Sequence, residues 1–358
     1  MRVLHVDPER GWGGGEVQVA ALLDALARRG HCSTLAAPLG SPLAKVAEGL
    51  GIRVVPLAVA NALDVVAAGR LRRLVPGHDV VHFHTARAHA LAPACRGLGA
   101  RLIVTRRMDY RPRGGPYARW LYSRVVDAVI AISERIRDTL RTLGVPAERI
   151  RLVPSGVDAD RLLPPRGARE ALRAGWGIGA REVVVLAMGA LVRRKGHDLL
   201  LAAASRCEPR VPLRVVLCGE GPERSRLARQ AAALQPPAIL AGFRQDVAAC
   251  LAAADIVAMP SRHEGLGVAA LEAMAAAKPV VAARVGGLAE VVRHGETGLV
   301  VPPDDVDALA GALTSLVADG TLRERLGSAG RSRVVARYSV SRMAAGTIAC
   351  YQGRPWPD

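Results

Sequence analysis

Arg2-Val3-Leu4-His5-Val6-Asp7-Pro8 opens the chain, and Gly11-Trp12-Gly13-Gly14-Gly15-Glu16 follows it almost at once. The first piece is a short apolar run ending at Asp and Pro, the pattern of a strand covered on both faces. The second is a glycine-rich turn. Beyond it Val17, Ala20, Ala21, Leu23 and Leu26 recur at helical spacing up to Gly30, a residue that stops helices. Strand, glycine turn and helix in that order begin a parallel α/β unit.

Working outward, β-branched or apolar runs return at 34–37, 53–57, 80–84, 102–105, 128–132 and 150–154, with helical-length segments between them. The rhythm restarts at 183–188, 213–218, 239–241, 256–259, 280–282 and 299–301, with helices expected over 198–205, 223–234, 268–277 and 306–317. We read an α/β chain of two Rossmann-like, doubly wound parallel-sheet domains facing a cleft. A length of 358 residues agrees with two hydrophobic cores rather than one. Residues 158–180 carry Pro164, Pro165, Gly167, Gly175, Gly177 and Gly179, so the boundary is expected there, between domains of 1–160 and 161–339.

Composition excludes several classes. Half the residues are apolar, no repeat or low-complexity tract stands out, and no apolar run is long enough to span a bilayer. The opening apolar run is too short for a signal-peptide core and has no basic run before it, so a cytoplasmic protein is expected. Cys32, Cys95, Cys207, Cys218, Cys250 and Cys350 are scattered without a Cys-x-x-Cys pair. They read as reduced core thiols, not metal ligands or disulfides. A net charge of +17 suits nucleic acid, anionic lipid or a phosphorylated partner. Only Lys45, Lys195 and Lys278 are lysines, however, and an Arg- and Ala-rich composition reflects a GC-rich genome as readily as a partner. Local concentration therefore carries more weight than the total.

Three segments carry chemistry. In the glycine turn, the backbone of Gly14 and Gly15 at a helix start could receive an anion. With Glu at 16 and Gln at 18, the segment fits neither Gly-x-Gly-x-x-Gly nor a Walker loop, and a ligand-free turn stays open. Leu191-Val192-Arg193-Arg194-Lys195-Gly196-His197-Asp198 follows a strand and leads into a helix. Its three cations would face a diphosphate at the sheet edge where open α/β folds bind ligands; a solvated basic loop is the alternative. Finally, Pro260-Ser261-Arg262-His263-Glu264-Gly265-Leu266-Gly267-Val268-Ala269-Ala270-Leu271-Glu272-Ala273-Met274 holds two carboxylates eight positions apart around a turn and an apolar helix. Capping would account for Glu264. Nothing structural accounts for Glu272 amid Ala and Leu, where an unpartnered carboxylate is costly. Sugar hydroxyls would satisfy it.

These residues resemble the group 1, or family 4, retaining glycosyltransferases of the GT-B fold. Glu264 to Glu272 matches that family's Glu, seven residues, Glu motif, and Val285-Gly286-Gly287-Leu288-Ala289-Glu290-Val291 follows it. Pro154-Ser155-Gly156-Val157-Asp158 resembles its hinge, Gly189 to His197 its Lys-Gly loop, and Gly295-Glu296-Thr297-Gly298 a further motif. The likeness runs over nearly the whole chain. It implies a nucleotide diphosphate-sugar as co-substrate, with catalytic roles for Lys195, Arg194 and Glu264. Glu264 would meet the donor sugar, and the amides of Gly265, Leu266, Gly267 and Val268 the diphosphate or sugar. Glu272 would meet the ribose, and Gly14 and Gly15 would approach the phosphates from the other domain. It also implies a C-terminal helix, about 340–358, returning to the first domain, which would be the acceptor side. Retention of configuration and no obligatory metal or other cofactor are expected as well.

Two departures stand out. Where the family commonly has Gly-Arg-Leu, this chain has Gly189-Ala190-Leu191, leaving Arg193 or Arg194 to supply the guanidinium. Arg107 stands where many members place a histidine. Arg107 and His84 are therefore candidates for the acceptor or donor-sugar side, with His82 nearby and a structural role open for both histidines.

Residues 101–124 gather Arg101, Arg106, Arg107, Arg111, Arg113, Arg119 and Arg124 with Tyr110, Tyr117, Trp120 and Tyr122, although aromatics are only 3% of the chain. Arginine among interfacial aromatics suits an anionic membrane on the inner face of the plasma membrane, or a lipid-linked or phosphorylated glycan acceptor. A cell-envelope precursor is the expected acceptor class. A nucleotide-sugar epimerase would use the same fold and donor but release an isomerised nucleotide sugar. A basic nucleic-acid-binding protein would show salt-dependent affinity without turnover; no nucleic-acid module is present, so no nucleic-acid partner is expected.

Overall fold

The computed structural model describes residues 1–110, 115–207 and 212–356. The chain divides into two compact units, Met1–Gly156 with Val340–Asp358, and Val157–Ser339.

The first unit is built on seven parallel strands: β1 (Arg2–Val6), β2 (Cys32–Ala37), β3 (Arg53–Pro56), β4 (Val80–Phe83), β5 (Arg101–Arg106), β6 (Ala128–Ala131) and β7 (Ile150–Leu152). They lie in the order β3-β2-β1-β4-β5-β6-β7, a doubly wound arrangement whose direction reverses between β1 and β4, where such folds bind ligands. Helices cover both faces, which is why β4 and β6 are buried throughout, His82 being the one polar residue between them. On one face the Gly14–Ala27 and Val340–Tyr351 helices bring Leu22, Leu26, Met343 and Tyr351 against Val3, Val80, Ile103 and Ile130. Each such fully buried aliphatic is worth roughly 1.5–3 kcal/mol. Arg29 also donates to Ser341 Oγ at 2.9 Å.

Turn chemistry starts the helices. Ser41, Asp64 and Ser133 accept hydrogen bonds from the amides of Ala44, Ala67 and Ile136, each cap contributing about 1 kcal/mol.

The second unit holds six parallel strands: β8 (Val183–Met188), β9 (Leu213–Cys218), β10 (Ile239–Gly242), β11 (Ile256–Met259), β12 (Val280–Ala283) and β13 (Gly298–Val301), ordered β10-β9-β8-β11-β12-β13. Its core packs Val185, Leu217, Ile256 and Val281 against Leu200, Leu227, Leu309, Leu313 and Leu326. Two helices go beyond the sequence reading. Ala168–Gly175 forms inside the stretch rich in Gly and Pro, because its own residues are good helix formers and the breakers only flank it. It is held down by Arg169 and Arg173, which share Asp255. Gly320–Arg337 is an 18-residue helix whose buried line, Leu326, Gly327, Gly330 and Val334, is too sparsely apolar to announce itself.

All six cysteines are free thiols, Cys32 being exposed. Among the described residues no helix is long and apolar enough to cross a membrane.

Candidate active site

In the second unit, β8 runs out at Met188 and the chain turns through a 3-10 segment, Arg193–Lys195, before the His197–Ala204 helix. Gly196 joins them with φ +67°, a conformation that non-glycine residues enter at a cost. β11 ends beside this turn, and residues 260–267 lead into the Val268–Ala275 helix. The two loops meet: Lys195 Nζ donates to Glu264 Oε2 at 2.5 Å, and Ser261 Oγ donates to the same oxygen at 3.3 Å. Both charged groups are largely buried. Such a pair contributes little net stability after desolvation, but it holds a cation and a carboxylate at the C-terminal edge of the sheet.

The helix that follows Gly267 has no side-chain cap at its start, so no side chain of its N-cap competes for the first-turn amides. Leu266 is buried and Val268 half-buried, and the backbone of Gly265 is held by Gly287, whose amide donates to Gly265 O at 3.1 Å. One turn further on, Glu272 is half-buried, with its carboxylate packed among protein atoms. Its carboxylate has no hydrogen-bond or ion-pair partner among the described residues, and burial pushes its pKa up to about 7.

The expected cations divide. Arg193 and Arg194 are exposed, and among the described residues their guanidinium groups are unpaired. Lys195 instead points back to Glu264. Arg262 lies within a motif singled out from the sequence but was given no role there. Its guanidinium spans Asp198 with two bonds of 2.9 and 3.1 Å, reaches Asp304 at 2.7 Å and donates to Arg193 O at 3.0 Å. Burial alone would raise the Asp198 carboxyl, but the bonds from Arg262 hold it below the usual range. No sequence signal marks Arg262, because Asp198 is 64 positions away and only the fold pairs them.

In the first unit the glycine turn is closed by Glu16, which accepts from the amide of Gly13 at 2.8 Å. Gly14 and Gly15 begin the helix. Arg107 reaches Gly15 from the end of β5, close enough that a Cβ there would lie 3.8 Å from Arg107 Cδ. Gln18 makes two 2.9 Å bonds to the backbone of Gly156, fixing the helix to residues 154–156.

His84 is buried and bonds His5 Nδ1 through Nε2 at 3.0 Å. His82 has both nitrogens engaged, with Tyr351 Oη at 2.6 Å and Thr105 Oγ1 at 2.7 Å, which makes it part of the core that anchors the C-terminal helix. His5 Nε2 meets Ser33 Oγ at 3.3 Å. The three rings offer nitrogens within 4.8 Å of one another, but five of the six are already hydrogen-bonded and only His84 Nδ1 is free. They pack as a neutral network.

Five unpartnered buried polar atoms lie at the ends of β1, β4 and β5 or within three residues beyond them: Asp7 Oδ2, His84 Nδ1, Arg106 Nε, Arg107 Nε and Asp109 Oδ1. Burial, then the Glu16 charge, push Asp7 up to about 7. Burial lowers Arg107 while Asp7 and Glu16 oppose it. Buried polar groups are nearly always satisfied, so a concentration of orphans at a ligand-binding edge asks for a guest with both donors and acceptors. Asp7 and Glu16 were not foreseen as site residues.

The basic, aromatic stretch is only partly a surface. Arg106 is buried beneath Tyr110, and Tyr122 is buried with its hydroxyl 3.2 Å from His89 Nδ1. These two belong to the core because they lie at the end of β5 and under the adjoining helical turn. Arg111 and Arg113 lie outside the described residues. Tyr110, Tyr117 and Trp120 are about half exposed. Trp120, Arg119, Arg124 and Arg149 line an open groove of about 830 Å³.

Comparison with known proteins bears on both units. Residues 168–333 match the model of the glycosyl transferases group 1, and residues 12–161 that of glycosyltransferase family 4. A GDP-mannose-dependent alpha-(1-6)-phosphatidylinositol monomannoside mannosyltransferase of Mycolicibacterium smegmatis is 37% identical over 284 residues, 74% of each chain. A D-inositol 3-phosphate glycosyltransferase of Xylanimonas cellulosilytica is 31% identical, covering 95% of this chain and 91% of its own. Among solved structures, Anabaena HepE in complex with UDP and glucose superposes with a TM-score of 0.88 at 22% identity, over 98% of both chains. The fold is that of the GT-B glycosyltransferases.

Proposed function

Because the chain belongs to the group 1, family 4 glycosyltransferases, we propose that it binds the nucleotide diphosphate-sugar at the edge of the second unit's sheet and passes the sugar on with retention of configuration. Lys195, with Arg194 and Arg193, neutralises the departing diphosphate. The amides of Gly265, Leu266, Gly267 and Val268 line the same charge, Glu264 contacts the donor sugar, and Glu272 receives the ribose hydroxyls. The observation that carries this reading is the pairing of Lys195 with Glu264 at 2.5 Å, one helix away from an unpartnered Glu272.

When the sugar–phosphate bond breaks, negative charge grows on the phosphate oxygens and positive character on the anomeric carbon. Preoriented cations stabilise the first, usually the largest single contribution to catalysis. Glu264 holds Lys195; a diphosphate competes for that ammonium and leaves the carboxylate beside the sugar. These residues supply the needed positive charge themselves, so no obligatory metal is invoked.

For the acceptor, Asp7, Glu16, His84, Arg107 and Asp109 offer carboxylates for hydroxyl donors and a guanidinium for an anion. Gly14 and Gly15 add helix-start amides for phosphate oxygens. A polyol carrying phosphate, free or lipid-linked, fits that mixture. Relatives named for phosphatidylinositol monomannoside and inositol 3-phosphate have acceptors of that chemistry, and GDP-mannose is the first donor to test. Tyr117, Trp120 and the arginine-lined groove support a peripheral contact with anionic lipid on the cytoplasmic face of a membrane.

Calorimetric titration with GDP, UDP and ADP tests the donor assignment. One nucleotide should bind selectively, and Lys195→Ala and Glu272→Ala should both weaken it. Equal binding by both variants would sink the site.

A further inference from the structure

Arg262 is the most heavily engaged cation of the second unit's strand edge, with four bonds from its guanidinium. We infer that Arg262 is a positioning residue for the donor diphosphate: it locks the turn carrying Arg193, Arg194 and Lys195 through its backbone, leaving the Arg193 and Arg194 side chains open to the ligand and Lys195 aligned on Glu264. The inference rests on the donor reading above and adds a residue to it.

Four bonds leave its guanidinium. Nη1 and Nη2 fork onto the Asp198 carboxylate at 2.9 and 3.1 Å, Nε reaches Asp304 Oδ1 at 2.7 Å, and Nη1 also donates to Arg193 O at 3.0 Å. Its backbone amide donates to Arg194 O at 2.8 Å. The 3-10 turn is thus held through the carbonyls of Arg193 and Arg194, not through their side chains. Gly196 N and His263 N also reach these carbonyls and Arg226 lies 3.7 Å from Asp198, but among the described residues Arg262 alone engages both carbonyls and the Asp198 carboxylate.

Asp304 belongs to the same clamp. It follows β13 with φ +58°, a backbone state that costs a non-glycine residue energy and persists where surroundings enforce it. Its carboxylate is the one that meets Arg262 Nε. One side chain therefore ties together the loops that follow β8, β11 and β13, and two of those loops carry the Lys195–Glu264 pair. A planar fork suits this task, since a lysine ammonium has three donors on one nitrogen and cannot fork onto Asp198 while also reaching Asp304 and Arg193 O.

Misplacing a catalytic group by about 1 Å costs up to about 100-fold in rate, and a diphosphate site whose cations shift loses charge-assisted hydrogen bonds. Arg262→Gln should therefore raise the dissociation constant of the nucleoside diphosphate about ten-fold or more, and lower the turnover number, while the matching nucleoside binds as before. Arg262→Lys, which keeps the charge and guards against a folding failure, should show the same phosphate-selective loss in smaller measure, and Asp304→Ala a smaller one still. Arg206→Gln, which removes an exposed pair with Asp307 in the same unit, should change neither affinity. Equal losses for nucleoside and diphosphate, in step with a lower melting temperature, would make Arg262 a stabilising residue only and overturn the inference. So would unchanged diphosphate affinity in folded Arg262→Gln. A parent chain that binds no nucleoside diphosphate would instead overturn the donor reading itself.

Discussion

A Cβ on Gly196 would stand 1.9 Å from the carbonyl oxygen of Pro260, so the turn bearing Lys195 and the loop bearing Glu264 touch backbone to backbone. Gly196 is also in the left-handed region at φ +67°. Alanine here carries the left-handed penalty of about 1–2 kcal/mol and must also push the loops apart. Separation parts Lys195 from Glu264. Gly196→Ala is therefore expected to lower the melting temperature and to weaken nucleoside diphosphate binding further than the stability loss explains. Parent-like affinity in the folded variant would show that the apposition is dispensable.

Glu272 gives a pH signature with a definite sign. Burial raises its folded-state pKa to about 7, above the unfolded value of about 4.3. Between those values the folded state binds more protons than the unfolded one, so this residue's contribution to stability is lost as pH rises through 7. Glu272→Gln should therefore stabilise the free protein at pH 8 and flatten that slope. If the carboxylate receives ribose hydroxyls, the same change weakens nucleotide binding about ten-fold. Thermal melts over pH, beside calorimetry, separate the two effects, and a variant that loses stability at pH 8 would contradict the unpaired carboxylate.

That Glu272 could be picked out from sequence at all reflects a local conflict: a carboxylate where the surrounding helix asks for an apolar residue. The parallel strands were legible for a similar reason, since burial on both faces writes continuous apolar runs into 128–131, 183–188 and 280–283. Arg262 was not, because its partners Asp198 and Asp304 are 64 and 42 positions away and only the fold brings them together. Arginine also hid the burial of Arg106 and Arg107. A guanidinium on a long stem reads as surface until tertiary structure covers it. The orphaned edge formed by Asp7, His84, Arg107 and Asp109 draws on three strands, and no window of sequence contains it.

The imidazole network predicts acid lability in the first unit. Burial is the main cause that pushes His5 and His89 down to about 3 and holds His82 and His84 well below 6.5. These rings are neutral when folded and become charged on unfolding below pH 6.5, so stability is full above that value and falls as pH drops toward the folded pKa values. Each such histidine adds a slope of about 1.4 kcal/mol per pH unit. His5→Gln should remove one histidine's share between pH 6 and 4. Denaturant melts across that range check it, and a slope unchanged by the substitution would mean that His5 does not charge on unfolding.

Anionic membrane contact makes a quantitative prediction for the groove beside Trp120. Arg119 and Arg124 line it and are exposed, and a basic residue near an anionic surface contributes about 1 kcal/mol. Removing both should reduce binding to phosphatidylglycerol-containing vesicles roughly thirty-fold. Binding to pure phosphatidylcholine, which lacks net charge, should be weak for every form of the protein. Trp120→Ala should reduce binding to the anionic vesicles by a route that salt does not screen, because its ring inserts by burying apolar area instead of by charge. Flotation at two ionic strengths distinguishes the two contributions, with donor turnover on a water-soluble acceptor as the control that should not move. Vesicle binding unaffected by the double arginine substitution would remove this face from the membrane contact and leave the net charge of +17 without a lipid role at that surface.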